Sequence, residues 1–279
     1  MDEPRGRPRA PRPEDFIVGG GEMGALIRAK DWSKTPLGPM SQWPQSLRSA
    51  LSILLPSKAQ IALFWGDELI TLYNDAYRPV LGAKHPAALG KPIREAWDEL
   101  WWVGLQEMLE SVRATGEAFW AQDRPFFMER HGYREETYFD ISYDPVRDES
   151  GRVQGVFCIV NETTRRVIGE RRLRALRDLG NIPHRARSVA EVYAAAEEVL
   201  ARYAEDIPFA LVYAPEESGR SERLVLRTGL DPNSFAAPPA LSAAGIARWP
   251  TPAAVTVLTG EQLEPLGALH AGPWPEPIR

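Results

Sequence analysis

The chain has 279 residues, 44% of them hydrophobic, and a formal net charge of −5. That length fits about two domains, and the acidic balance argues against a protein built to coat nucleic acid. Cys158 is the one cysteine, which excludes a disulfide framework and points to a reducing, cytoplasmic setting. No apolar run approaches the ~20 residues of a membrane span, and the N-terminus lacks a signal-peptide core.

Residues 1–15 interleave Arg5, Arg7, Arg9 and Arg12 with Pro4, Pro8, Pro11 and Pro13. Such a segment cannot bury apolar area and reads as a disordered arm. The Gly19-Gly-Gly21 run lacks the Lys-Ser/Thr of a phosphate loop, so it reads as a flexible turn. From Ser41 to Leu55 the pattern is helical, with Pro44 in its first turn and a stripe of Leu47, Ala50, Leu51, Leu54 and Leu55. Gln60–Trp65 and Glu68–Tyr73 read as a hairpin around Gly66-Asp67. Asn74 or Asp75 is placed to cap the short helix that follows.

One long helix is predicted from Ile93 to Ala114, on the stripe Ile93, Trp97, Leu100, Trp101, Leu105, Met108, Leu109 and Val112. Trp102 and Val103 fall off this stripe, which suggests cover on more than one side. Thr115-Gly116 ends the helix, and Ala118–Met128 is a third strand. In Tyr133–Asp144, Thr137, Phe139, Ile141 and Tyr143 alternate with Tyr138, Asp140 and Ser142, a strand with one apolar row. After the turn Asp148–Gly151, the strand Arg152–Thr164 is apolar on both faces, so both need cover. Strand pairs separated by helices imply one antiparallel sheet with helices on one face. A polar helix follows over Arg165–Leu179, and it reads as a solvated connector rather than a DNA-contacting helix.

These residues carry a family resemblance. Ile70-Thr-Leu-Tyr-Asn-Asp-Ala-Tyr77, the Leu89-Gly-Lys-Pro92 turn, Gly132–Tyr138, Asp148–Gly155 and the terminal Asn161-Glu-Thr-Thr164 resemble a PAS domain of the kind at the front of bacterial sensor histidine kinases. Trp32–Leu55 resembles the leader of that variety. Ala204–Tyr213 and Gly272–Pro277 resemble the GAF domain that follows in such kinases, although a GAF domain continues for several strands beyond what this chain holds. The resemblance implies an α+β chain in five parts: a disordered arm over 1–15, a helical leader over 16–58, and a PAS fold over 59–164, its antiparallel five-stranded sheet carrying helices on one face. A connector helix over 165–182 and a partial GAF-like α/β unit over 183–279, with an unpaired sheet edge, complete it.

The resemblance further implies an inner pocket, for which the candidates are Phe64, Tyr73, Tyr77, Trp97 and Trp101, with Asn74 as the polar group. It places signal output at Asn161, Glu162, Thr163 and Thr164, where a threonine cap and a Glu162–arginine pair are expected to steer the connector helix. No catalytic constellation stands out. His85, His131, His184 and His270 form no pair at zinc spacing, Glu135 and Glu136 point to opposite faces of a strand, and Cys158 lies outside the flavin-binding pattern and reads as core.

The chain therefore reads as the sensory PAS–GAF input region of a two-component histidine kinase. It is expected as a homodimer through the PAS sheet, working with a kinase core or response regulator and sensing a small molecule. Its cofactor is unknown, and neither nucleic acid nor membrane is a partner. The alternatives are part of a kinase whose catalytic core lies elsewhere and a ligand-free dimerisation module.

Overall fold

The computed structural model describes residues 16–216, 221–231 and 237–242. The predicted arm over 1–15 and the Gly272–Pro277 motif lie outside the described residues. The chain divides after Val167 into two compact units.

The first unit opens with a built turn rather than the loose one expected. Gly19, Gly20 and Gly21 hold φ of 69°, 77° and 56° and lead into α1 (Gly21–Ala29). The Asp75 carboxylate accepts from the N–H groups of Glu22 and Met23 at 3.2 and 2.8 Å. A residue more than fifty positions away thus caps this helix, and a side chain at position 21 would collide with it. The next helix, α2 (Gln45–Leu54), starts later than predicted because Met40–Gln42 forms a 3₁₀ turn. Arg48 pins that turn by donating to the carbonyls of Met40, Ser41 and Trp43.

Five antiparallel strands follow: β1 (Gln60–Trp65), β2 (Ile70–Tyr73), β3 (Phe119–Glu129), β4 (Arg134–Arg147) and β5 (Val153–Glu162), in the order β2-β1-β5-β4-β3. Register fixes which side chains share a face. Ala62 and Phe64 of β1 pair with Cys158 and Val156 of β5, and Val160 and Cys158 pair with Ile141 and Tyr143 of β4. All seven are buried. On the other face Ile61, Leu63 and Trp65 are buried as well, with Leu72 and Ile70 paired beside Leu63 and Trp65. The cover there is the leader: α2 packs on β1 through Leu47, Leu51 and Leu54.

This register corrects one expectation. The Val156–Cys158–Val160 row, read as a second face in want of a partner, is the core face. Phe157 and Ile159 point outward, and Ile159 is 38% exposed.

Helices fill the inner face. The expected single helix over 93–114 is broken instead into α4 (Ile93–Ala96), α5 (Asp98–Leu100), a wide turn at Trp101–Leu105, and α6 (Gln106–Thr115); before them comes α3 (Arg78–Leu81). The breaks fall at Trp97, with φ −131° and ψ 52°, and at Gly104, with φ 118°. Glycine tolerates that last conformation and other residues do not. The bends keep Trp97, Trp101 and Leu105 in the core while Trp102 and Val103 stand 80% and 73% exposed.

From β5 the chain passes into α7 (Thr164–Gly180). The second unit continues with α8 (Val189–Arg202), capped by Ser188 and with Glu191 reaching back to the Arg187 N–H at 2.7 Å. Then come β6 (Ala210–Pro215), β7 (Ser221–Thr228) and β8 (Ala240–Ser242), an antiparallel sheet in that order. Ahead of β6 the Ile207 N–H closes a turn onto the Tyr203 carbonyl at 2.9 Å, and the strand begins at Ala210. Asp206 gathers the side chains of Arg171 and Arg172.

Candidate functional site

Two places in the first unit hold the residues singled out from sequence: a cavity under the sheet, and the junction of β5 with α7. The cavity is about 30 Å³, and among its walls are Phe64, Tyr77, Trp97, Phe139, Tyr143 and Val160. That is room for about one water molecule. Of the six candidates, Phe64, Tyr77 and Trp97 stand among these walls. Burial in this apolar interior pushes the Tyr77 and Tyr143 hydroxyls well above their usual range. The same desolvation raises the Cys158 thiol, which shares a hydrogen bond with Tyr77. A thiol held neutral is neither a nucleophile nor a metal ligand.

The other three candidates are corrected. Tyr73 turns aside and its hydroxyl meets His85 Nδ1 at 2.9 Å, while His85 Nε2 meets Glu22 Oε1 at 3.1 Å. Trp101 is core but not wall, because the bend at Trp97 gives the wall positions to Leu100 and Leu105. Asn74 is fully buried and entirely committed to backbone. Its Oδ1 accepts from the N–H groups of Ile61 and Tyr77 at 3.2 and 3.0 Å. Its Nδ2 donates to the carbonyls of Leu54, Ser57 and Ala59 at 3.1, 3.1 and 2.8 Å. Asn74 staples the leader to the sheet and offers nothing to a ligand.

The junction is more densely wired. Arg130, in the β3–β4 turn, donates both terminal nitrogens to Glu162, at 2.9 and 3.2 Å, and one also to Glu135 at 3.1 Å. Glu135 in turn holds His131 Nδ1 at 2.8 Å. The same Arg130 reaches the Pro79 carbonyl at 3.4 Å, and its own carbonyl accepts from the Ala83 N–H at 2.8 Å. Val80, between those two contacts, lines the cavity. One arginine therefore ties a wall of the cavity to the last residue of the last strand.

On the far side of the strand, the Thr163 hydroxyl donates to Asp123 at 2.7 Å, and Arg166 of α7 pairs with the same carboxylate. These two partners hold the Asp123 carboxyl below the usual range, Arg166 contributing most. Thr164 Oγ1 donates to Glu162 Oε1 at 2.9 Å and accepts from the Tyr138 N–H at 3.0 Å. Asn161 is exposed, opposite Asp140 in the register. Glu162, Thr163 and Thr164 thus work together, and Asn161 stands outside their hydrogen bonds.

Sequence reasoning missed Arg130, Glu135 and Asp123. Arg130 sits in a polar turn, Glu129-Arg-His-Gly132, with nothing to mark it as buried. Asp123 sits in the polar Gln122-Asp-Arg124 interruption of an aromatic strand, and it has φ of 50° at the bulge between Ala121 and Arg124.

Residues 58–168 match the family model described as the PAS fold. This segment is a PAS fold. Solved structures similar to the chain include an RNA-binding light-oxygen-voltage receptor, 22% identical over 55% of this chain and 42% of that one, with a TM-score of 0.35. The PAS domain of Bordetella pertussis BvgS is also 22% identical, covering 48% of this chain and 97% of its own, with a TM-score of 0.35. A sensory box sensor histidine kinase from Vibrio cholerae is 16% identical over 42% and 90%, with a TM-score of 0.30. The chain spans less than half of the light-oxygen-voltage receptor's length.

Proposed function

We propose that the chain is a sensory input module, in which the PAS fold registers a signal and α7 carries it onward. The setting proposed is the PAS–GAF input region of a two-component sensor histidine kinase, with the α8–β8 unit as the GAF-like part. The observation that carries this reading is Arg130, which joins the cavity wall at Pro79–Ala83 to Glu162 at the root of α7. A displacement of α3 of the order of a hydrogen-bond length breaks one end of this bridge. Signalling of this kind needs only a few kcal/mol between two states, which is the scale of one partly buried ion pair.

A cavity of about 30 Å³ is far below the ~300–1,000 Å³ of ordinary ligand sites. The packing thus favours a signal that rearranges contacts, or a ligand that opens the core as it enters, over a bulky resident group. The test is to fuse all 279 residues ahead of a histidine kinase core and compare wild type with Glu162→Gln and Arg130→Met. The reading expects both variants to shift basal or stimulated autophosphorylation while the PAS fold stays intact. Unchanged activity in both sinks it.

A second reading, homodimerisation through the sheet, is favoured by a separate observation. Trp120, Ser142 and Ile159 align across β3, β4 and β5 on the outer face, and Trp120 is 67% exposed. A second copy of the chain is the proposed cover. Sedimentation equilibrium at high micromolar concentration decides it, and a monomer of both wild type and Trp120→Glu excludes it.

A further inference from the structure

Glu162 and Thr163 are neighbours at the end of an extended strand, and the Thr163 N–H still donates to the Tyr138 carbonyl at 2.8 Å. Successive side chains of such a strand leave on opposite faces of the sheet. Glu162 stands opposite Phe139, a core residue, and meets Arg130 on that inner side. Thr163 turns the other way, to Asp123. The Asp123 N–H donates to Asp140 Oδ1 at 3.0 Å, and Asp140 falls between the core residues Phe139 and Ile141, hence on the outer face. The root of α7 is therefore held from both faces: by Arg130 through Glu162 inside, and by Asp123 through Thr163 and Arg166 outside.

The outer hold rests on an unusual piece of backbone. Asp123 has φ of 50°, at the point where the β3–β4 register slips between Ala121 and Arg124. A residue with a β-carbon keeps that conformation where its surroundings over-determine it. Contacts with Thr163, Arg166 and Asp140 do so here. We propose that the two holds oppose each other, so that releasing either lets the other draw the root of α7 toward its own face. The proposal deepens the reading of α7 as the output helix and rests on it. It gives the helix two inputs. The inner one is the cavity wall, through Arg130. The outer one is β3, at the end of the sheet order, which places Trp120, 67% exposed, three residues before Asp123. A contact made on that face reaches α7 without passing through the cavity.

Pulsed EPR distances on the full chain test this, and they read the helix itself rather than any output. One nitroxide sits at Leu173→Cys on α7, the second at Trp120→Cys on the outer face or at Trp102→Cys on the helix side; all three positions are exposed. Labelled chains are diluted in unlabelled ones, so that only pairs within one chain count. Cys158 is buried and its thiol is held neutral, so it takes no label. Leu173 lies well along α7 from Thr164, a lever of about 14 Å that a tilt of about 15° moves by about 3–4 Å. Glu162→Gln is expected to shorten the Leu173–Trp120 distance by about 3 Å and to lengthen the Leu173–Trp102 distance. Asp123→Gly, which tolerates the same backbone conformation without the carboxylate, is expected to do the reverse, as is the milder Thr163→Val. The Glu162→Gln/Asp123→Gly double variant should return toward the wild-type distances. Shifts of the same sign on the two sides, or unchanged distances in every variant, overturn the proposal. A kinase fusion left unchanged by variants that do move the helix faults the reading of α7 as output instead, and leaves the opposition of the two holds standing.

Discussion

Glu162 and Arg130 meet as a two-pronged pair, at 2.9 and 3.2 Å, across the end of the strand that becomes α7. The Arg130 side chain is 8% exposed and Glu162 27%, so the pair is partly desolvated and its two members are unequal. Removing the arginine strands two carboxylates, Glu162 and Glu135, beside each other. Arg130→Met is therefore expected to cost about 2–4 kcal/mol in urea unfolding, and Glu162→Gln, which keeps a hydrogen-bond acceptor, about 1–2 kcal/mol. Equal losses for the two would refute this ordering.

Acid should loosen the same network. Burial raises the Glu135 carboxyl, but hydrogen bonds from His131 and Arg130 outweigh it and hold it below the usual range. A carboxyl depressed in the folded state stabilises above its unfolded value of ~4.3 and loses that contribution as pH falls through the folded value. Urea midpoints of wild type and Glu135→Gln should therefore differ most at pH 5–7 and converge below about pH 4. A gap that widens in acid contradicts the assignment.

Trp101 and Trp102 are neighbours with opposite environments. Trp101→Ala is expected to cost about 3–5 kcal/mol, as for a buried aromatic. Trp102→Ala is expected to stay within about 0.5 kcal/mol, as for an exposed position. Chemical denaturation of the two variants checks both, and comparable losses would mean the helix is not broken as described.

Asn74→Ala removes five hydrogen bonds to backbone groups of the leader, β1 and the turn after β2. Several buried donors and acceptors are left without partners, so the cost should exceed about 3 kcal/mol. Hydrogen exchange should show the leader losing protection together with β1. Loss confined to the Asn74–Tyr77 turn would argue against the staple.

How much of this was legible beforehand depends on the kind of information each feature needs. The strands were readable because period-two alternation is local, as in Thr137–Tyr143 and Val156–Val160. Which face of β5 met the core was not, because that depends on the partners Ala62 and Phe64, nearly a hundred residues away. The long helix misled because Trp97, Trp101 and Leu105 keep helical spacing on both sides of the breaks, and only Gly104 hinted at a departure. At the site, Phe64, Tyr77 and Trp97 followed from aromatic character alone. Asn74 looked like a pocket group because a polar residue among aromatics has two uses, and sequence does not tell a ligand contact from a backbone staple. Arg130 was invisible because its burial is set by two acids from different strands.

The leader's place on the sheet bears on where this domain can be cut. The family match begins at residue 58, yet α2, which packs on β1, lies wholly before that point. A fragment trimmed to the match would carry a bare apolar strip on the outer face of β1, a surface that invites aggregation. The boundary recognised by family likeness and the boundary of the folding unit are therefore different, and dissection of this protein into working pieces should respect the second.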